Sequence, residues 1–295
     1  MKVTPIAFES LGVRSMATLM EAGGKKIFID PSAALGPLRY GLPPAREELE
    51  ALDESKRRIH EIALESGILV ITHYHYDHHD PDETFYQNKI VLAKDITQNI
   101  NRSQKGRGGY FKQQVEKVAE LNFADGKRFD FGNVSITFSP PFPHGPEGIR
   151  LGFVLMCLVE CRKERLLFGS DVQGPVSDAA RDWIIGMNPT LLIMDGPPTY
   201  FLGYKFSMEN LKKASDNMLE IIYRTKAKVI LDHHILRDLK FKEHFKEVYD
   251  TKKVVSAAEY LGVENQLLEA NRKILWKDKK PAYSMMPLQK ELRYE

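Results

Sequence analysis

The sequence predicts a mixed α/β layered fold, and three observations carry the prediction. Short apolar runs bounded by Gly, Pro and Asp recur through both halves of the chain. Some are joined by tight turns, as in antiparallel hairpins, and others alternate with helical patterns, as in strand-helix-strand units. Hairpins mixed with such units argue against a purely parallel, doubly wound sheet.

In order along the chain, residues 15–22 and 26–29 flank Gly23-Gly24 and read as a hairpin, its second strand ended by Asp30-Pro31. After Pro43-Pro44, residues 45–66 keep Leu49, Leu52, Ile59, Ile62 and Ala63 at roughly helical spacing among many charges, the pattern of an amphipathic surface helix. Residues 68–71 form an apolar run of the buried-strand kind that ends at Thr72 and His73, and 89–93 give the next strand. Residues 95–118 look helical but are broken by Lys105-Gly106-Arg107-Gly108-Gly109. Residues 134–138 alternate as a half-buried strand. A second hairpin follows from 151–161, a charged turn at 162–164 and 165–168, closed by Gly169-Ser170-Asp171. Residues 191–194 and 228–231 are further strands that end in Asp195 and Asp232, separated by a helix that Ser207 caps and that runs to about Arg224. No repeat or linker interrupts the pattern apart from a charged C-terminal region after about residue 276, so one domain over 1–295 is the simplest organisation.

Composition narrows the function. Across 295 residues, 42 Lys and Arg face 40 Asp and Glu, a net charge of +2, which disfavours a globally basic nucleic-acid binder and leaves room for a local basic patch. With 43% apolar and 28% charged residues the chain is too apolar for intrinsic disorder. Its longest apolar run, 153–159, is far below the roughly 18 residues a membrane span needs, and Glu9 and Arg14 interrupt any signal-peptide core. A cytoplasmic protein without a membrane partner is expected. Cys157 and Cys161 would lie about 13 Å apart on one strand at about 3.3 Å per residue, too far for a disulfide, so buried free thiols in a reducing compartment are expected.

The segment that carries chemistry is Thr72-His73-Tyr74-His75-Tyr76-Asp77-His78-His79-Asp80, directly after a buried strand. A His-x-His-x-Asp-His string arises by chance roughly once in two thousand chains of this composition. If strand geometry persists, His73 and His75 point to one side about 6.6 Å apart, so two imidazoles can meet one cation. A turn would then present Asp77 and His78 at a second position. Imidazole and carboxylate donors suit zinc, and also iron, manganese or nickel. Further donors stand at strand ends elsewhere: His144 in Pro143-His144-Gly145, Asp171 after the 167–170 run, and His233-His234 after Asp232. Adjacent His233 and His234 would point to opposite sides if extended, and His233 is favoured as the ligand, with His234 the alternative. His79 is expected to face solvent or to support a ligand from behind. Arg237 and Asp238 lie within a turn of the pair, where Asp238 could orient an imidazole or simply form an ion pair.

This pattern resembles the metallo-β-lactamase superfamily, whose five motifs fall in order from Asp30 through His73, His75, Asp77 and His78 to His144, Asp171 and His233. The resemblance implies an αββα sandwich of two mixed β-sheets flanked by helices, with a dinuclear metal centre. It implies Asp30 as a structural support, His73, His75 and His144 on the first ion, Asp77, His78 and His233 on the second, and Asp171 bridging. The segments Gly12-Val13-Arg14-Ser15-Met16-Ala17-Thr18, Arg39-Tyr40-Gly41-Leu42-Pro43-Pro44 and Gly169-Ser170-Asp171-Val172-Gln173-Gly174-Pro175 are similar to an uncharacterised archaeal subgroup of that superfamily.

The cofactor expected is thus a pair of divalent metal ions, zinc first, and the reaction expected is hydrolysis, with Asp77 and Asp171 in the catalytic set. No Gly-x-Ser-x-Gly elbow signals a serine nucleophile. Asn101 to Phe111 carries Arg102, Lys105 and Arg107 with flexible glycines and two aromatics, able to hold a phosphate and stack a base, Lys105 and Arg107 being the named candidates. That favours a phosphodiester or other phosphate ester, as a small molecule or nucleic acid, over a thioester or lactam. The 62 residues from Asp171 to His233 are too few for the inserted domain that resembles the nuclease branch's clamp, and the second His of the His-x-His fork departs from the oxygen-reducing branch. The competing class is a metal-binding or nucleic-acid-binding module without catalysis.

Overall fold

In the computed structural model, which describes residues 1–277, two β-sheets pack face to face with helices on both outer surfaces. The charged region predicted after 276 lies, except for Lys277, outside the described residues. The first sheet has six strands in the order β1 (Lys2–Phe8), β2 (Met16–Ala22), β3 (Lys25–Ile29), β4 (Ile68–Ile71), β5 (Ile90–Ala93) and β6 (Glu120–Phe123). Pairing is antiparallel from β1 to β3 and parallel from β3 to β6. The chain then enters a second sheet through β7 (Arg128–Phe131) and β8 (Val134–Phe138), and leaves it for a short antiparallel ribbon of β9 (Phe142–Pro143) and β10 (Phe153–Val154). It returns as β11 (Cys157–Cys161), β12 (Glu164–Phe168), β13 (Leu191–Met194), β14 (Lys228–Leu231) and β15 (Val254–Val255). This sheet runs β15-β14-β13-β12-β11-β8-β7, parallel from β15 to β12 and antiparallel beyond.

The uninterrupted apolar runs follow from burial on both faces. Side chains alternate along a strand, so Ile68 and Val70 enter the core between the sheets while Leu69 and Ile71 face outward onto α1 (Arg46–Glu65). Likewise Ile193 and Ile230 face the other sheet, while Leu192, Met194, Val229 and Leu231 pack beneath α3 (Asp178–Met187) and α4 (Met208–Thr225). Ser207 caps α4 by accepting from the Asn210 amide at 3.1 Å, as its sequence position suggests. Both cysteines lie on β11 as buried free thiols.

Two expectations are corrected. The glycines at 106, 108 and 109 do not break a helix: α2 (Arg102–Val115) runs through them. Packing overrides the local cost of about 1 kcal/mol per glycine, because at Gly108 an added Cβ would lie 2.7 Å from Ile96 and 2.8 Å from Tyr74, and only glycine lets the helix settle there. The run 151–161 is not one strand. Between β10 and β11 the Leu155 amide donates to Thr72 O at 3.0 Å and the Met156 amide to Ser139 Oγ at 2.9 Å, which pulls the chain across the end of β4.

A ladder of buried charges ties the last described residues to the first sheet. Arg14 donates two hydrogen bonds to Glu269, at 2.6 and 2.8 Å, and Arg272 donates to Glu48 at 2.7 and 2.8 Å and to Gly36 O at 2.9 Å. Burial alone would raise the Glu269 carboxyl, but Arg14, with Arg237 and Arg272 behind it, outweighs burial and holds it down at about 2. A depressed carboxyl stabilises the fold above its unfolded pKa near 4.5, and that stabilisation is lost as pH falls toward 2. Arg14→Met is therefore expected to be less stable than the parent by about 3 kcal/mol at pH 7. The gap should shrink as urea unfolding is repeated from pH 4.5 downward, and a gap independent of pH would contradict the assignment to Glu269.

Candidate metal centre

Ligand-type side chains gather at the C-terminal ends of β3, β4, β12, β13 and β14 and on the β9–β10 ribbon. After β4 the chain leaves the sheet and bends at His73, and the rings of His73 and His75 lie together, centroids 4.7 Å apart, while Tyr74 is buried with Phe111. The carbonyl of His75 then accepts from the His78 and His79 amides at 3.0 and 3.2 Å, and this turn delivers Asp77 and His78. His144 comes in from the ribbon, its ring 4.9 Å from His75 and 5.4 Å from His73. Asp171 follows Gly169, where a Cβ would meet Met194 at 2.8 Å and Ile193 O at 3.1 Å.

Everything converges on one atom. Asp171 Oδ2 lies 3.2 Å from His78 Nε2 and from His144 Nε2, 3.6 Å from His233 Nε2, 3.7 Å from His73 Nε2 and 3.8 Å from His234 Nε2. Four overlapping groups of donors have the spacing to hold a cation: His73, His75, His144 and Asp171; Asp30, His73 and His78; Asp77, His78 and His233; and Asp171, His233 and His234. All are buried. His73 Nε2, His78 Nε2, both ring nitrogens of His144 and Asp171 Oδ1 are buried with no hydrogen-bond partner. So many orphaned lone pairs in one place are costly in a folded chain unless something else satisfies them, and a cation is the group their chemistry suits.

The supporting groups fix which nitrogen faces inward. Asp30 accepts from the Thr72 amide at 2.8 Å, from Thr72 Oγ1 at 2.6 Å and from His78 Nδ1 at 2.8 Å, so His78 turns Nε2 to Asp171. Thr72 Oγ1 also lies 3.1 Å from His73 Nδ1. Burial, then repulsion from His78 and His75, keeps His73 well below the usual imidazole value, hence neutral. Burial would raise the Asp171 carboxyl, yet His78, His233 and His234 outweigh it and hold it well below the usual range, hence ionised. Neutral imidazole and ionised carboxylate are the forms that bind metal. His78 goes the other way: burial would lower it, but Asp171 and Asp77, with hydrogen bonds to Asp171 and Asp30, outweigh burial and hold it well above the usual imidazole value, so a cation bound there would displace its proton.

The expectation that His233 and His234 diverge is corrected. His233 has φ +71°, a left-handed conformation rare for a residue with a side chain, and it opens a 3-10 turn that swings both rings inward, centroids 4.5 Å apart. His233 Nε2 is 3.5 Å from Asp77 Oδ2, and His234 Nδ1 pairs with Asp195 Oδ2 at 2.7 Å. Neither histidine is turned away. Asp195 was legible as a strand-end carboxylate but not as the support of His234, because only the parallel pairing of β13 with β14 sets them side by side.

Other expected groups fall elsewhere. Asp238 pairs with His244 at 2.7 Å and does not orient a ligand. Its neighbour Arg237 does the work near the site: fully buried, it donates to Glu9 at 3.1 Å and lies 3.0 Å from His233 Nε2 and 3.7 Å from Asp77 Oδ2. Glu9 sits in the loop after β1, a strand without a clear alternating pattern, and nothing in the sequence pointed to it. His79 does not face solvent; of its two expected places it takes the supporting one, buried against Tyr76 and Phe111 with Nδ1 2.9 Å from His75 O. Lys105 is exposed on α2, whereas Arg107 reaches Tyr74 O at 3.4 Å beside the His-rich turn.

The four-layer architecture with this His/Asp cluster at its strand ends is the metallo-β-lactamase fold. Among solved structures it is similar to an isothiocyanate hydrolase from Delia radicum gut bacteria, with a TM-score of 0.54 at 14% identity, covering 83% of this chain and 94% of that one. It is also similar to unliganded yeast PDE1, with a TM-score of 0.51 at 9% identity over 86% of this chain and 97% of that one. Zinc-bound PqqB from Methylobacterium extorquens gives 0.50 at 9% identity over 90% and 99%. By sequence, a UPF0282 protein of Methanopyrus kandleri is 45% identical over 287 residues, 92% of this chain and 98% of its own length. Another from Thermococcus gammatolerans is 46% identical over 291 residues, 94% and 95% of the two chains. The chain belongs to the UPF0282 family. No family model matches it. Among the described residues, no helix is long and apolar enough to cross a membrane.

Proposed function

We propose that this protein is a dinuclear metal-dependent hydrolase acting on a phosphate ester. His73, His75 and His144 would hold one cation and Asp77, His78 and His233 the other, with Asp171 shared and His234 as the alternative to His233. The convergence of five imidazoles on Asp171 Oδ2 within 3.8 Å, with orphaned nitrogens around it, is the observation that supports this reading. Two divalent cations, when bound, supply Lewis acidity and a strong nucleophile at neutral pH. Nitrogen and oxygen donors suit zinc, with iron, manganese and nickel also compatible.

The chain's own groups do the rest. Asp30 and Asp195 hold His78 and His234 by Nδ1, which fixes the inward tautomers. Asp77 and Asp171 place negative charge at the centre, and the buried Arg237, held by Glu9 and Tyr200, faces Asp77 and His233 and positions them. Arg102 and Arg107 on α2, beside the His-rich turn, favour a phosphate ester over a thioester or lactam. Metal-loaded protein is expected to turn over bis-p-nitrophenyl phosphate at least about tenfold faster than a model thioester or β-lactam, and Asp77→Ala to lose roughly 100-fold or more. Two bound ions with no turnover on any ester would favour the non-catalytic module.

A further inference from the structure

Three histidines of the candidate metal centre have their outward ring nitrogen held by a neighbour. Asp30 takes His78 Nδ1 at 2.8 Å, Asp195 takes His234 Nδ1 at 2.7 Å, and Thr72 Oγ1 lies 3.1 Å from His73 Nδ1. His144 differs. Its Nε2 lies 3.2 Å from Asp171 Oδ2, while its Nδ1 is buried with no hydrogen-bond partner among the described residues. An imidazole that gives Nε2 to a cation carries its proton on Nδ1, and a ligand histidine ordinarily donates that proton to an acceptor that fixes the ring. We infer that Gln173 is this acceptor: a positioning residue whose Oε1 takes the Nδ1 proton of His144 when a cation takes Nε2. The inference rests on the metal centre of the proposed hydrolase and adds a residue outside its ligand set.

The backbone of Gln173 is the first argument. It stands two positions after Asp171 with φ +55°, a left-handed conformation uncommon for any residue with a side chain. Such strain persists only where the surroundings impose it. Here the Gln173 amide donates to both oxygens of Asp195, at 2.9 and 3.1 Å, the same carboxylate that holds His234. Glycine would take up that conformation at no steric cost, so a long polar side chain at this position calls for a use.

The surroundings of its carboxamide are the second argument. Gln173 is 5% exposed, and Oε1 is buried without a hydrogen-bond partner among the described residues. The group lies against Gly145, the residue bonded to His144: a Cβ there would stand 2.5 Å from Oε1, 2.7 Å from Cδ and 3.1 Å from Nε2. Glycine at 145 leaves the amide its room. An unpartnered ring nitrogen on His144 and an unpartnered carbonyl oxygen lying on the next residue are the two halves of one hydrogen bond, and making it relieves both. The competing amide is Gln104, whose Oε1 is also unpartnered. Its carboxamide lies against Gly152, on the opposite arm of the β9–β10 ribbon, with Nε2 bound to Leu151 O at 3.0 Å and 3.4 Å from His75 Nε2. That contact ties Gln104 to His75 and not to His144.

The test uses zinc-loaded full-length protein with isotope-labelled histidine, so that ring N–H protons are read by NMR in water, where a proton held by an acceptor exchanges slowly. Zinc affinity is measured by competition with a chelator. The parent is compared with Gln173→Met, Gln173→Asn, Gln173→Glu and Gln104→Met. Methionine keeps the length of glutamine without the acceptor. Asparagine suits a left-handed backbone, so the fold is kept while the carbonyl is drawn back by one methylene. Glutamate restores an acceptor. The expected result is that the Met and Asn variants at 173 each lose at least about tenfold in zinc affinity and one slowly exchanging ring N–H, while Gln173→Glu retains that resonance. Packing alone would not separate methionine from glutamate in this way. Parental affinity with every ring N–H retained in both loss variants overturns the inference, as does loss of the resonance in Gln104→Met but in neither of them. If the losses appear as expected but bis-p-nitrophenyl phosphate is never cleaved, the hydrolase reading fails and the role of Gln173 stands. A parent that takes up no zinc overturns both.

Discussion

If the protein is the dinuclear phosphate-ester hydrolase proposed above, Asp171→Asn is expected to lower bound zinc from near two ions per chain to one or none, and to reduce phosphodiester hydrolysis by about 1,000-fold or more. One carboxylate oxygen lies within 3.8 Å of five imidazoles, so this substitution reaches candidate donors from both sheets at once. Losing the charge between two cations forfeits several kcal/mol, and each 1.36 kcal/mol is a factor of ten in rate. Atomic absorption with initial-rate kinetics measures both quantities. A variant that keeps two ions and full activity would show that Asp171 is not the shared group. Circular dichroism should show the secondary structure retained, since Asp171 lies in a loop beyond β12 and its side chain faces the cluster.

The second large effect concerns stability. Arg272 and Glu48 are both fully buried and doubly hydrogen-bonded, and Arg272 also donates to Leu42 O at 3.0 Å and Gly36 O at 2.9 Å. Removing one partner leaves the other charge buried and uncompensated, so Glu48→Leu is expected to cost about 3–5 kcal/mol in urea unfolding. The double variant Glu48→Leu/Arg272→Met should recover much of that loss, because two apolar groups leave no stranded charge. A double variant as unstable as the single would show that the carbonyl contacts of Arg272 to the 36–42 loop, and not its charge pairing, carry the effect.

Much of this was legible in the sequence where a strand is buried on both faces. Residues 68–71, 134–138, 191–194 and 228–231 coincide with β4, β8, β13 and β14, because an unbroken or alternating apolar run with a polar stop leaves little choice. The gathering of the candidate donors was legible for a related reason: they stand where apolar runs end. What failed depended on contacts distant in sequence. Glycines at 106, 108 and 109 look like a break until Tyr74 and Ile96 are placed against Gly108. In β1, Pro5 and a register shift before Ala7 blur the period-two pattern. The orientation of His233 and His234 hangs on a single left-handed φ, which an adjacent pair of histidines does not announce. Glu9 and Arg237 are 228 residues apart and meet only once β1 and the turn after β14 are brought together by folding.

The candidate donors are shared between the two halves of the sandwich. Asp77 and three histidines, at 73, 75 and 78, come from the turn after β4 in the first sheet; Asp171 and the 233/234 pair come from the second, and His144 from the ribbon that leaves it. Cations seated there would act as rivets through the seam. Their binding energy would count toward the docking of one β-sheet on the other as well as toward chemistry. Occupancy and cohesion would rise and fall together, so a cell short of the metal would find the protein easier to unfold as well as inactive.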